Sequence, residues 1–191
     1  MTILGISGTP RKGGNSEVLL DAALEPFIDA GWTVERVLMS EVKINPCTGC
    51  ECCATTQTCA MHDDMDIIYA AFERCDAMII SAPVYWRNVP AQLKALIDRT
   101  YGTGGKKPLM GKLGGAIAVG RGTGGGQATV LNIIHNYYLS CSMLCVPGEL
   151  NGLSAAADKP GDILQQPRRL EQARALGRNV MMYAERMRIK G

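Results

Sequence analysis

The 191-residue chain is poor in histidine, with only two, His62 and His135, and they form no ligand-spaced pair. A Ser/His/Asp constellation or a histidine metal site therefore has no support. Charge of one sign is also scarce: 20 Lys and Arg face 18 Asp and Glu, and the net charge of +2 is too small to argue for a nucleic-acid partner. What imbalance exists is local. Residues 168–190 carry +5 and residues 1–167 carry −3, which reads as a solvated basic helix face. No run approaches the roughly 18 apolar residues of a membrane span. The opening Met1-Thr2-Ile3-Leu4-Gly5 has no charged n-region, so a cytoplasmic location without a membrane partner is expected. Internal repeats, low-complexity tracts and linkers are missing too. One domain over residues 1–191 is expected, long enough to bury a core without disulfide staples.

What the chain does have is 47% apolar residues, 20% charged ones and eight cysteines. Thr2–Ser7 is an apolar run ending in a Gly/Pro-rich turn, the pattern of a buried strand. From Asn15 to Ala30 apolar residues recur at helical spacing until Gly31 stops the helix. Thr33–Met39 predicts a second strand, and residues 40–62 an irregular stretch. Asp63 or Asp64 can cap the next helix. Ala77–Ala82 and Gly114–Val119 predict strands three and four, followed by helices over about 90–100 and 126–141. Ser142–Val146 suits a short fifth strand, and 167–188 a final amphipathic helix. Buried strands alternating with helices imply a doubly wound parallel α/β sheet covered on both faces. Ligands then bind beyond the carboxyl ends of the strands.

The loops at those ends are unusual. After strand one, Ser7-Gly8-Thr9-Pro10-Arg11-Lys12-Gly13-Gly14-Asn15-Ser16 runs straight into a helix, supplying backbone N–H groups, hydroxyls and two cations suited to a phosphate. Gly8 and Gly13 match the outer glycines of a nucleotide P-loop, but Gly14 and Asn15 stand where Lys and Ser/Thr belong, so a terminal monophosphate fits better than a triphosphate. After strand three, the adjacent aromatics Tyr85 and Trp86 suit the lining of a flat ligand. After strand four, Gly120-Arg121-Gly122-Thr123-Gly124 lets backbone approach a planar ring closely.

Gly8-Thr9-Pro10-Arg11 with Gly14-Asn15-Ser16, then Pro83-Val84-Tyr85-Trp86 with Gln92-Leu93-Lys94 and Asp98-Arg99, resembles the NADPH-dependent FMN reductase family of flavodoxin-like proteins over about residues 1–150. The resemblance implies a five-stranded sheet of order 2-1-3-4-5. It implies an FMN phosphate at Ser7, Thr9, Arg11, Asn15 and Ser16, and an isoalloxazine ring flanked by Pro83, Val84, Tyr85, Trp86 and Asn88. Gly120, Gly122 and Gly124 would lie along the ring's other edge.

Five cysteines (Cys47, Cys50, Cys52, Cys53 and Cys59) crowd one window of thirteen residues. In a chain without a secretion signal this points to metal or redox chemistry rather than a disulfide framework. Cys47-x₂-Cys50-x₂-Cys53-x₅-Cys59 supplies four thiolates at a spacing close to that of bacterial ferredoxins, which predicts a [4Fe–4S] cluster. Structural zinc and free thiols are the alternatives. Cys52 is surplus and can exchange with Cys53 as the ligand. Cys75, Cys141 and Cys145 sit in apolar sequence and read as core packing.

This cysteine loop on a flavodoxin-like frame resembles the iron–sulfur flavoproteins. The resemblance implies one FMN and one [4Fe–4S] cluster per chain, electrons from a ferredoxin-type carrier, and a homo-oligomer, dimer or tetramer, in which a cluster approaches a neighbour's flavin. The expected function is electron transfer between one-electron and two-electron partners. The alternatives are an NAD(P)H-dependent FMN or quinone reductase with structural cysteines, in which a bulky Trp86 beside the ring would hinder nicotinamide, and a binding module without turnover.

Overall fold

A computed structural model describes residues 1–188; Lys190, the last residue of the basic stretch, lies outside them. The strands are β1 (Thr2–Ser7), β2 (Thr33–Leu38), β3 (Ala77–Pro83), β4 (Leu113–Gly120), β5 (Leu144–Cys145) and β6 (Leu153–Ala156). All pair in parallel, in the order β2-β1-β3-β4-β5, and β6 also pairs with β4. The helices are α1 (Asn15–Asp29), α2 (Cys52–Thr56), α3 (Met65–Arg74), α4 (Ala91–Arg99), α5 (Gln127–Ser140) and α6 (Pro167–Arg188), with a 3₁₀ segment over Thr100–Lys106.

The period-2 alternation of a strand divides the core in two. Leu4, Ile6, Met78, Ile80, Ala116 and Ala118 face α3, α4 and α5, while Ile3, Ile79, Ile117 and Val119 face α1 and α6. β1, β3 and β4 are therefore apolar on both faces. β2, at the edge, is more exposed.

Strand five departs from expectation. Only Leu144–Cys145 pairs with the start of β4, at Leu113 and Gly114. The chain then leaves the sheet and returns as β6, which pairs with Ile117–Gly120. The fifth position is thus one strand broken in two. The 40–62 stretch also holds the short helix α2, bracketed by two non-glycine residues at positive φ, Glu51 and Gln57.

In α6, Gly177 lies against the backbone carbonyl of Ala23 in α1, where a Cβ would overlap that carbonyl. A glycine in mid-helix costs about 1 kcal/mol relative to alanine, so its presence reflects this close approach. Gly177→Ala, which would favour an isolated helix, is expected to destabilise the protein by about 1–3 kcal/mol through overpacking. Urea unfolding would show it as a lower midpoint at unchanged slope.

Candidate functional site

The carboxyl ends of β1, β3, β4 and β6 open onto a cleft of about 490 Å³. The expected residues Thr9, Arg11, Asn15, Ser16, Pro83, Val84, Tyr85 and Gly120 line it. Lys12, Arg121 and Lys159 add positive charge against the single carboxylate of Asp158, so the cleft attracts anions. Gly14 occupies the N-cap position of α1 with no side-chain cap, which leaves first-turn N–H groups available. Ser16 Oγ is buried with no hydrogen-bond partner. Lys12 pairs with Glu41 at 2.9 Å and Arg121 with Asp158, whereas Arg11 has no carboxylate partner among the described residues. An orphaned hydroxyl, an uncapped helix start and an unpaired guanidinium fit a phosphate.

Other expected residues stand elsewhere. Ser7 is buried behind the cleft, its Oγ unpartnered. Asn15 lines the cleft but its amide is in use: Nδ2 donates to Lys159 O at 2.8 Å, and Oδ1 accepts from the N–H groups of Gly161 and Ile163. It ties the loop after β6 to α1. Trp86 is fully exposed and does not line the cleft. Tyr85 and Asn88 exchange backbone hydrogen bonds of 2.9 and 3.0 Å. Trp86 and Arg87 form the two-residue reversal between them at φ 50° and 60°, the pattern of primed hairpin turns, so Trp86 sits at a tip. Asn88 Oδ1 accepts from the N–H of Val89. Gly122 and Gly124 lie beyond the cleft wall, in a loop braced by Gln127, whose Nε2 donates to Gly122 O and Ala155 O.

Sequence reasoning missed Gln127 and the Ala157–Pro160 wall. The Asp158-Lys159-Pro160-Gly161 turn was the available signal for the wall.

The cysteine loop encloses a second cavity of about 170 Å³, lined by Cys47, Cys50, Cys53 and Cys59 together with Arg99 and Tyr101. Cys53, the second residue of α2, is buried, whereas Cys52, the first, is exposed and lines no part of the cavity. The N–H of Cys52 beside Cys50 favours the Cys50 thiolate, and Cys50 in turn pushes the Cys52 thiol up. Four cysteines on one cavity fit a thiolate-bound metal centre. Among the described residues no three His, Cys, Asp or Glu side chains already converge as metal ligands. Of the remaining thiols, Cys75 is buried as expected and its thiol is pushed up to about 11 by burial, but Cys145 is exposed on the short β5 rather than packed in the core.

One buried ion pair holds this loop. The Arg99 side chain is 1% exposed. Its Nη1 donates to Asp63 Oδ2 at 2.9 Å and Asn45 O at 3.0 Å; its Nη2 donates to Asp63 Oδ1 at 3.1 Å and Met61 O at 3.3 Å. Asn45 and Met61 flank the first and last cysteines of the set. Burial alone would raise the Asp63 carboxyl, but Arg99 and the N–H groups of Asn45 and Met65 hold it well below the usual carboxylate range. Tyr69 donates to Arg99 O at 2.6 Å, and burial pushes its hydroxyl up to about 12.

The strand order β2-β1-β3-β4-β5, with helices on both faces, defines the flavodoxin-like class of fold. The family model for NADPH-dependent FMN reductases matches residues 1–158. An iron–sulfur flavoprotein of Methanocaldococcus jannaschii is 38% identical over 184 residues, covering 94% of this chain and 95% of that protein. One from Methanosarcina thermophila is 41% identical over 147 residues, covering 76% and 77%. Among solved structures, the NAD(P)H:quinone oxidoreductase from Methanothermobacter marburgensis shares the fold with a TM-score of 0.71 at 20% identity, covering 94% of this chain and 98% of that one. The chain belongs to the NADPH-dependent FMN reductase family and, within it, to the iron–sulfur flavoproteins; it is a flavin-dependent oxidoreductase. No helix among the described residues is long and apolar enough to cross a membrane.

Asp63→Asn removes the counter-charge of a buried guanidinium and is expected to cost about 3–5 kcal/mol at pH 7. Because the folded pKa of Asp63 lies below its unfolded value, the carboxylate's contribution is complete above about pH 5 and fades as pH falls through the folded pKa. The gap between wild type and Asp63→Asn in urea midpoint should therefore be wide at pH 7 and narrower at pH 3.

Proposed function

We propose that this protein is an electron-transfer iron–sulfur flavoprotein, passing electrons between a ferredoxin-type donor, a [4Fe–4S] cluster, FMN and a downstream acceptor. The observation that carries this reading is the pair of separate cavities, one an anion-binding cleft and the other lined by four cysteines. When bound, the cluster supplies single electrons and FMN one or two, so the pair would join one-electron to two-electron partners.

The residues divide the work. The α1 N-terminus, Thr9, Ser16 and Arg11 would hold the FMN phosphate. Pro83, Val84 and Tyr85 would flank the ring on one side, and Val119 and Gly120 on the other. Cys47, Cys50, Cys53 and Cys59 would ligate the cluster. The two cavities share no lining residue, which supports a homo-oligomer that brings a cluster to a neighbour's flavin. Eight free cysteines support a cytoplasmic location.

A second reading gains from one observation. Trp86 points away from the cleft, so it does not hinder a nicotinamide there. An NAD(P)H-dependent FMN or quinone reductase with structural cysteines is that reading.

Protein purified without air should contain about four irons and four sulfides with one FMN per chain, and reduced ferredoxin should reduce it faster than NADPH. Zinc, or no metal, with rapid reduction by NADPH would select the second reading. Cys53→Ala and Cys59→Ala should lose iron and sulfide while Cys52→Ala keeps both, read by metal analysis. Arg11→Ala should weaken FMN binding by roughly tenfold, the lower end for a charged hydrogen bond because Arg11 is solvent-exposed. Equilibrium dialysis would measure it.

A further inference from the structure

Arginine carries five N–H donors. At Arg99 the two terminal nitrogens are matched by Asp63, Asn45 O and Met61 O. The fifth donor, Nε–H, is buried and has no partner. A buried, unpartnered charged donor is rare and costly in a folded protein. Arg99 also forms part of the wall of the 170 Å³ cavity, in company with the four cysteines. The rest of the guanidinium is locked, since both terminal nitrogens and the Arg99 carbonyl are held in place. The unused donor therefore belongs to a locked side chain of a residue that lines the sulfur-lined cavity.

Resting on the reading of the cysteine loop as a metal centre, we propose that Arg99 Nε donates a hydrogen bond to a sulfur atom of the group that these cysteines hold, and so raises that group's reduction potential. The sulfur is a cysteine thiolate or an inorganic sulfide, both of them acceptors. Reduction adds negative charge to the sulfurs, so a fixed donor favours the reduced state, and hydrogen bonds to sulfur are one of the levers that set such potentials. The Asp63 carboxylate offsets the charge of the guanidinium, which leaves the directed Nε–H as the main influence. Arg99 is then both the anchor of the loop and a tuning residue for what the loop binds.

Arg99→Lys keeps the charge and can still pair with Asp63, but has no counterpart to Nε–H. In the anaerobic, metal-loaded protein, a redox titration followed by electron paramagnetic resonance should show the one-electron reduction equilibrium shifted about tenfold toward the oxidised form, a potential lower by about 59 mV. A purely structural anchor would lower thermal stability and leave the potential where it was; that result, with wild-type iron content, overturns the proposal. If wild-type protein carries no iron and sulfide, the metal-centre reading fails and the proposal with it. If Arg99→Lys does not fold or load, the wild type decides. Its Arg99 ¹⁵Nε–¹H resonance should be paramagnetically shifted and slow to exchange in the loaded protein. A resonance that exchanges at the rate of a water-bonded donor overturns the proposal.

Discussion

Removing a guanidinium from water costs several kcal/mol unless its donors are matched, and at Arg99 the match reaches across 54 residues of chain to Asn45. Asp63 is the centre of that match. Its two oxygens take the Arg99 fork, Oδ2 also accepts from the Asn45 N–H, and Oδ1 accepts from the Met65 N–H at the start of α3. One carboxylate thus pairs the buried cation, starts a helix and fixes the entry of the cysteine loop. With both ends of the loop tied to α4, its interior need not be regular. That freedom is used: α2 is five residues long, and both its flanking residues sit in left-handed conformations that non-glycine side chains seldom adopt. Gly104 of the 3₁₀ segment closes over α2, where a Cβ would lie 2.8 Å from Gln57 Cα. Such strain persists only where the surroundings over-determine it, and here Arg99 and the 3₁₀ segment provide the restraint.

The parts of the fold that were legible are those where one chain segment contains its own signal. β1, β3 and β4 are near-continuous apolar runs because both their faces are buried, and α1 and α6 show a single apolar stripe. The broken fifth strand was not legible. Leu144–Cys145 is too short for a period, and Leu153-Ser154-Ala155-Ala156 is rich in alanine, which has little strand preference of its own. Its register comes from β4, a partner more than thirty residues away in sequence.

The cleft was legible as chemistry but less so as geometry. The first loop is read as a phosphate site by residue type, and type does not reveal that the Asn15 amide is spent on the backbone of residues 159–163. Tyr85 and Trp86 read as a matched aromatic pair. A two-residue turn puts one side chain at the wall and the next at the tip, and that alternation depends on the hydrogen bonds between Tyr85 and Asn88. Arg99 had a faint signal: it continues the buried spacing of Leu93 and Leu96 along α4, where an arginine is out of place unless something pairs with it. The partner, 36 residues upstream, could not be read from local pattern.

Topology explains why a metal-type loop and a flavin-type cleft can coexist here. In a parallel sheet, every strand-to-helix connection leaves from the same edge, so the loops after β1, β2, β3 and β4 all emerge at the carboxyl ends of the strands. The cleft uses those after β1, β3 and β4, which are central. The cysteine loop follows β2, the edge strand, which pairs only with β1 and has solvent on its outer side. An insertion there disturbs no ladder hydrogen bond and fills no part of the cleft. It needs only a fixed point on the neighbouring layer, and a buried arginine at the end of α4 supplies one. The same fixed point puts an arginine in the wall of the sulfur-lined cavity, so the residue that makes the insertion tolerable to the fold also adds a cationic side chain to the surroundings of the four cysteines.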